Sequence, residues 1–420
     1  AKKYYEALLA DPGNAQFHLT DPRGASDKSG RTFNNPYQYF FEQMHMDDAI
    51  YADESIYEYP MQQGGGNDGR PYSFGRPSSG GSKAAYPCKS YGQGRINPAY
   101  FYGIFDPNDM RRDVSITMTG SNGKGVEKLI PFVPNSKAEG GGLTLNKWDE
   151  NRQANPWVAA QRKSGINGPY MRMSEVYLGY AEVCAALGDV VTGKQYLKTV
   201  RERSFPQGLA DTDGFIASFG NDLVRAIIEE RGFEYAGEGD RRWTLIRSGY
   251  LPEDIKRIKD MTKAMMDGLA TKGYYEFENG NIISAYIWTK LVDAKTIYGH
   301  RLTAQCPMDK VNDPVLYPGW RGQKDNWEEM GLNYGNSAPA TNLAIKGLFE
   351  IVSEEEAASL ESQGYAKVNW GIDLVDYRDE YDKYLFWDYD YVSAPIYLWP
   401  FTPNVMAAGG FTNGYGFKQE

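Results

Sequence analysis

Two amphipathic segments follow one another between residues 173 and 204, and they limit the possible folds more than any other part of the chain. In the first, apolar side chains recur at intervals of three and four residues, the pattern of one face of an α-helix. The residues on this face are Met173, Val176, Tyr177, Tyr180, Ala181, Cys184 and Leu187. The second segment spans residues 192–204. Gly188-Asp189 separates the two, so the sequence predicts a helical hairpin similar to one tetratricopeptide repeat.

Further helical patterns flank this hairpin and predict a mostly α-helical fold. Proline is favoured in the first turn of a helix, so we place the start of the hairpin's first helix at Gly168-Pro169. Residues 222–247 predict another helical stretch, interrupted near Gly237. Residues 343–363 predict a helix as well.

Residues 60–98 differ in character, because Gly, Pro, Ser and Asn dominate and no helical or strand period survives. A loop of this length in a compact protein is usually functional or disordered. Aromatic residues are interleaved in it, which favours a functional loop, since disordered linkers are poor in aromatics. A few short strands are predicted around it, within residues 49–59 and 114–147.

Tyrosine is the most informative residue type, with 32 copies against 18 of Phe and 9 of Trp. A tyrosine ring suits a half-wet surface, where it stacks on a ligand and hydrogen-bonds to its rim. A sugar offers apolar C–H faces to such rings and hydroxyl groups to polar side chains. The candidate aromatic contacts are Tyr72, Phe74, Tyr86, Tyr91, Tyr100, Tyr102 and Trp148, with Arg70, Arg95 and Asn97 as polar partners. For each of them, packing in the core is an equally open alternative.

Composition excludes several other classes of function. The net charge is −10 and no basic stripe is present, which argues against nucleic acid as a partner. No run of about 18 apolar residues occurs, so no membrane span is predicted. The 3 Cys and 3 His residues lack the spacing of a zinc site, and no cofactor is expected. Asp309, Asp313 and Asp325 do not match the spacing of a calcium loop.

Glu230, Glu234 and Glu238 recur every four residues and would share one face of a helix. Two readings of this pattern are open. The glutamates could supply the carboxylate pair of a glycoside hydrolase, or they could form an ion network with nearby arginines. We favour the network, because structural ion pairs are common and nothing in the sequence marks one glutamate as a catalytic acid.

Three blocks of sequence, taken in order, resemble the SusD/RagB-like family. Residues 170–189 resemble its R-x-x-E-x-Y-L-x-x-A-E signature, residues 197–203 its L-N-x-V-R-x-R block, and residues 229–247 its E-R-R-x-E-x-x-x-E-G-x-R block. The matching residues of the first and third blocks are Arg172, Glu175, Tyr177, Leu178, Ala181, Glu182, Gly188, Glu230, Arg231, Glu234, Glu238, Gly239, Arg241, Leu245 and Arg247. The family pattern is broken at Lys198, Gly232 and Thr244.

This resemblance implies a single, mostly α domain over residues 1–420 that lacks its N-terminal part. Tetratricopeptide-like helix pairs would support an irregular, loop-rich lobe with a few short strands. Residues 36–160 would form the loop-rich, ligand-facing portion, residues 168–250 the helical scaffold, and residues 285–345 an irregular insertion.

The resemblance also implies a function. The protein would be a glycan-binding protein, not an enzyme, on the surface of a Bacteroidetes outer membrane, held by a lipid anchor that this chain does not include. It would capture an oligosaccharide and deliver it to a TonB-dependent transporter of the SusC kind. A peptide-binding member of the family and a helical glycoside hydrolase are the alternatives.

Overall fold

Helices make up most of the regular structure. The computed structural model describes residues 1–11, 17–21, 35–37, 40–41, 54–62, 64, 73–77, 90–121, 127–134, 141–148, 164–293, 341–385, 401–410 and 412. The helices are α1 (Lys2–Ala10), α2 (Arg111–Ser115), α3 (Met173–Ala186), α4 (Val190–Ser204), α5 (Thr212–Ala217), α6 (Leu223–Glu234), α7 (Asp240–Ser248), α8 (Leu251–Lys272), α9 (Glu354–Ser362), α10 (Gly371–Asp376), α11 (Arg378–Leu385) and α12 (Pro403–Gly409). A π-helix covers Tyr100–Ile104. The predicted mostly α-helical fold is confirmed.

The strands in the described residues are short and pair in antiparallel fashion. They are β1 (Ser55–Tyr59), β2 (Ile116–Thr117), β3 (Thr119–Ser121), β4 (Glu127–Leu129), β5 (Thr144–Leu145), β6 (Gly168–Arg172), β7 (Tyr274–Glu276), β8 (Ile282–Ser284), β9 (Tyr286–Asp293), β10 (Thr341–Lys346) and β11 (Ala366–Asn369). β1 pairs with β6, β2 with β5, β3 with β4 and β7 with β8, while β9 lies between β10 and β11. In the described residues these strands form separate small sheets and no continuous layer.

The predicted hairpin is confirmed as helices α3 and α4. Gly188 follows α3 with a φ of +82°, a conformation that glycine adopts without strain. Asp189 then caps α4, its carboxylate accepting from the Thr192 backbone N–H at 3.3 Å. The two helices approach closely at Gly193, where an added Cβ would lie 2.9 Å from the carbonyl oxygen of Ala181. Leucine, valine and alanine side chains from α3, α4 and α6 fill the space between these helices.

The start that we predicted for the first helix, at Gly168-Pro169, is wrong. Residues 168–172 form strand β6, with Ser55 opposite Arg172 and Tyr59 opposite Gly168. Helix α3 begins only at Met173, after Arg172 in extended conformation. Proline is tolerated at the beginning of a strand as well as of a helix. The partner strand β1 lies more than 100 residues earlier in the chain, so no local signal shows the pairing.

The helix predicted over residues 343–363 is only partly correct. Its first residues belong to β10, which pairs with β9, and Leu343 and Ile345 are buried in the core. Helix α9 begins after Ser353, whose hydroxyl accepts from the Glu356 backbone N–H at 3.2 Å. The sequence reasoning also missed α8, a helix of 22 residues with a narrow buried face.

The core that contains Leu343 and Ile345 is distinct from the one between α3, α4 and α6, and we call it the second core. Its centre is Trp370, which is fully buried and donates from its indole N–H to the Tyr102 hydroxyl at 2.8 Å. Phe132 packs against Trp370, with 4.2 Å between ring centroids. The division into portions 36–160, 168–250 and 285–345 stays a prediction, because residues 294–340 and many of residues 42–89 lie outside the described part of the chain.

A buried carboxylate connects α6 with α2, β6 and α4. Glu234 of α6 accepts from Arg111 of α2 at 3.1 Å. It also accepts from Arg172 of β6 and Arg203 of α4, both at 2.6 Å. The side chains of all four residues are at most 4% exposed. The ion network that we favoured for the repeated glutamates is therefore confirmed.

This network continues beyond Glu234 and is balanced in charge. Among the described residues, the connected ion pairs comprise the cations Arg111, Arg172, Arg201, Arg203 and Lys147 and the anions Asp109, Glu54, Glu230, Glu234 and Glu238. Burial by itself would raise the pKa of Glu234, but the charges of Arg203, Arg172 and Arg111 outweigh it and hold this pKa well below its usual value. The carboxylate therefore stays ionised inside the protein.

Replacing Glu234 with Gln should lower the free energy of unfolding by about 3–5 kcal/mol, because three buried arginines lose a charged partner. Urea denaturation measures this change. Glu361→Gln on the exposed face of α9 is the control and should change stability by less than about 0.5 kcal/mol. A loss below about 1 kcal/mol for Glu234→Gln would contradict a central role of this carboxylate.

Acid should also destabilise the folded protein, because it protonates the same carboxylate. The folded pKa of Glu234 is lower than its unfolded value, so its contribution is complete above the ordinary pKa of 4.5 and is lost as the pH falls toward the folded pKa. Melting temperature should therefore decline steadily below about pH 4.5. The decline should be shallower for Glu234→Gln than for the native chain, and equal slopes would count against this assignment.

Candidate functional site

The structure separates the predicted site residues into exposed, half-buried and buried groups. Phe74 is exposed, Tyr91, Arg95, Asn97 and Tyr100 are half-buried, and Tyr102 and Trp148 are fully buried. Tyr72, Tyr86 and Arg70 lie outside the described residues. The role of the whole set in ligand contact stays a prediction.

Several of these residues hold the π-helix and the residues before it against other parts of the protein. The Tyr100 hydroxyl donates to the Gly232 carbonyl oxygen of α6 at 2.8 Å, and burial raises the pKa of this tyrosine. Asn97 donates to the Thr262 hydroxyl of α8 at 3.0 Å. Tyr102 accepts the indole N–H in the second core. In this conformation, Tyr102 and Trp148 present no surface to a ligand.

An aromatic surface that sequence reasoning missed lies on the two-stranded sheet of β1 and β6, which we call the tyrosine ribbon. Tyr57, Tyr59 and Tyr170 are 59%, 54% and 70% exposed. The rings of Tyr57 and Tyr170 meet edge to face, with centroids 5.7 Å apart. Met171 extends the same exposed surface. Large apolar side chains gathered on one surface are typical of a binding site rather than of chance exposure.

A sequence signal for part of this ribbon existed. Tyr57 and Tyr59 are two positions apart in a strand, and such residues point to the same side of a sheet. Tyr170 could not be added to them, because its strand was predicted to be helical and its partner strand is remote in sequence.

The ribbon is fixed to the scaffold by the buried ion network at its inner end. Glu54 directly precedes β1, and Arg172 is the last residue of β6. Their side chains meet at 2.9 Å, and Glu54 is also paired with Arg203 of α4. At the outer end, Asn167 donates to the Glu58 carboxylate at 2.8 Å. The exposed rings are therefore carried on a base that is held at both ends.

The other signature residues of the sequence blocks also form ion pairs. Glu175 of α3 contacts Arg231 of α6 at 2.9 Å. Glu182 contacts Arg247 of α7. Arg241 donates to Glu229 at 3.0 Å. The conspicuous charges of these motifs thus connect helices to one another and carry no separate catalytic arrangement.

Comparison with known families agrees with the family resemblance of the three sequence blocks. The family model described as the SusD family matches residues 20–401. The chain belongs to the SusD family. SusD-family proteins bind glycans and are not enzymes, and they form a family of cell-surface outer-membrane lipoproteins. No helix in the described part of this SusD-family chain is long and apolar enough to cross a membrane.

Individual relatives are distant. SusD-like protein P25 of Formosa agariphila is 28% identical over 160 residues, which are 38% of this chain and 26% of that protein. A SusD homolog from Bacteroides thetaiotaomicron is 19% identical, with a TM-score of 0.39 and coverage of 54% of this chain and 47% of that chain. Surface glycan-binding protein A from the same organism, in complex with laminarihexaose, is 18% identical, with a TM-score of 0.40 and coverage of 60% and 50%. The matches span about a quarter of the curated relative and about half of these solved chains.

Glu54→Gln should loosen the tyrosine ribbon, because Arg172 and Arg203 then lose a charged partner beneath it. We expect amide hydrogen exchange in residues 55–59 and 168–172 to become about tenfold faster or more. Exchange within α3 and α4 should change much less.

Glu276→Gln, at the exposed last residue of β7, is the matched control and should leave exchange in the ribbon unchanged. Equal acceleration throughout the protein in Glu54→Gln would indicate a general loss of stability instead of local anchoring.

Proposed function

We propose that this protein captures oligosaccharides at the cell surface and delivers them to a TonB-dependent outer-membrane transporter of the SusC kind. A lipid anchor would hold it at the outer membrane. Membership of the SusD family supports this assignment. The exposed tyrosine ribbon is the single observation in the structure that supports a glycan-binding site.

The ribbon has the chemistry that a sugar ligand requires. The faces of Tyr57 and Tyr170 cover apolar C–H groups of a sugar ring by dispersion, while their hydroxyl groups reach its polar edge. The rings are exposed before any ligand arrives, and the strands beneath them are anchored. Binding therefore needs little reordering of the protein, which favours affinity.

The ligand surface extends in this proposal toward the loop-rich segment. Phe74 is exposed, and its ring lies close to Gly94, where an added Cβ would be 3.5 Å from Cδ1 of that ring. Tyr72, Tyr86 and Arg70 belong to the same segment of sequence and keep their predicted role as ligand contacts.

The carboxylates do not support a hydrolase. Glu230 and Glu234 are fully buried, and both are engaged by arginine. A glycosidase needs two carboxyl groups that reach the scissile bond from opposite sides. The binding role needs neither a free acid nor a cofactor.

The double variant Tyr57→Ala/Tyr170→Ala should bind oligosaccharide roughly 30-fold more weakly, because each ring contributes about 1 kcal/mol of contact. Isothermal titration calorimetry with a panel of neutral hexasaccharides that includes laminarihexaose measures the affinity. Unfolding free energy should change by less than about 1 kcal/mol, since both rings are exposed.

Tyr4→Ala is the matched control, because Tyr4 on α1 is 79% exposed and outside the ribbon. Its affinity for glycan should equal that of the native chain. Undiminished glycan binding by the double variant would refute the ribbon as the site. Binding of peptides in place of every glycan would refute the proposed ligand class.

A further inference from the structure

A cleft of about 790 Å³ opens beside helix α4. Residues from α4, α5, α6 and α8 line one side of it, and the π-helix and the β7–β8 hairpin line the other. Its volume is in the range of small-molecule sites, which is about 300–1,000 Å³. No residue of the tyrosine ribbon lines this cleft, and neither do the described residues among the ligand contacts predicted from the sequence.

The walls of the cleft are aromatic. Phe215 of α5, Phe219 just after it and Tyr275 of β7 are half-buried, so part of each side chain faces the open space. Phe205 and Phe277 lie deeper and are almost fully buried. A flat ligand with apolar faces would be enclosed between these rings.

A guanidinium group with unused hydrogen-bonding capacity lies among these rings. Arg201 lines the cleft and is 3% exposed. Its Nη1 donates to Glu230 at 2.7 Å, and the group stacks 3.7 Å from the centre of the Phe215 ring. Its Nε is buried without a hydrogen-bond partner among the described residues. A buried donor without an acceptor costs about 1–3 kcal/mol, so an oxygen of a ligand would relieve a real deficit.

The rim of the cleft carries negative charge, opposite to that of Arg201. Asp106, Asp211 and Glu278 line it and are exposed. Two further acids of the lining are already neutralised, since Asp109 contacts Arg111 at 2.6 Å and Glu229 contacts Arg241 at 3.0 Å. Asp106 and Asp211 each accept one backbone N–H, from Asn108 and Gly214 at 2.8 Å, and the exposed rim carboxylates keep further oxygen lone pairs for a ligand.

We infer that this cleft is a second saccharide site, which accepts one or two uncharged sugar rings. Hydroxyl groups both accept and donate, so one ligand can accept from Arg201 and donate to the rim carboxylates. The C–H faces would lie between Phe215, Phe219 and Tyr275. The rim repels an anionic sugar, and a purely cationic ligand offers Arg201 no acceptor. The class of ligand rests on the proposed function, whereas the position of the site does not.

A plugged cleft tests this inference without disturbing the ion network. Ser218 is exposed and lines the cleft at the end of α5, so Ser218→Trp would place a bulky ring in the opening. Ser359→Trp, at an exposed serine of α9 outside the cleft, is the matched control. The probes are laminaribiose, cellobiose, maltose, a uronic acid disaccharide and the dipeptide Gly-Phe, titrated by calorimetry into the native chain, both Trp variants and Tyr57→Ala/Tyr170→Ala.

We expect a neutral disaccharide to bind the native chain and Ser359→Trp alike, and Ser218→Trp to lose at least tenfold in affinity for it. In Tyr57→Ala/Tyr170→Ala, the disaccharide should still bind in the cleft with unchanged affinity. Glu278→Ala should weaken the same component, because it removes a rim acceptor and is too exposed to affect folding.

Loss of disaccharide binding in the ribbon variant alone, with Ser218→Trp unaffected, would overturn the second site and leave the proposed function intact. Stronger binding of the uronic acid or of Gly-Phe in the cleft would overturn the ligand class. Absence of binding by all three neutral disaccharides to a chain that still binds hexasaccharides through the ribbon would also overturn the second site. If neither length of neutral glycan binds, the proposed function fails with it.

Discussion

The buried carboxylate of Glu234 is the interaction on which the rest of the structure depends. Its three arginine partners are separated from it by 123, 62 and 31 residues, and they lie on α2, β6 and α4. Each charge would cost several kcal/mol if it were buried alone. Helix α2, the tyrosine ribbon and the helical hairpin therefore assemble around one point. None of them can bury its charge without the carboxylate of Glu234.

Burying the network also carries a cost. Burial lowers the pKa of Lys147 to about 8, although Glu238 lies 2.6 Å away. The unfolded chain holds this proton more tightly, so the burial is a cost that is complete below about pH 8 and is relieved as the pH rises toward 10.5. Apolar residues of equal volume often stabilise a core as well as an ion network does. What they would not supply is a fixed register between remote elements.

The sequence predicted those parts of the fold that depend on local periodicity. The apolar face from Met173 to Leu187 specifies α3 by itself, and the glutamates of α6 indicated the network, because both patterns repeat with the period of one helix. Tyr170 and the residues of β10 could not be placed in the same way. Their conformation is set by partner strands that lie far away in the chain. The cleft was beyond prediction for a similar reason, since Arg201 and Tyr275, which line it together, lie on elements that are remote in sequence.

Both proposed ligand surfaces rest on the same network. Arg172 closes the strand beneath the tyrosine ribbon and Arg201 lines the cleft, and ion pairs through Glu230, Arg111 and Glu234 connect them. Neither arginine can move without leaving a buried charge unpaired, so the spacing of the two surfaces is fixed. A glycan that reached both surfaces would make its second contact at high effective concentration, and its avidity would exceed the affinity of either surface. A disaccharide gains nothing from this arrangement. If both proposals hold, such a pair of surfaces would favour longer chains over short ones without any further contact.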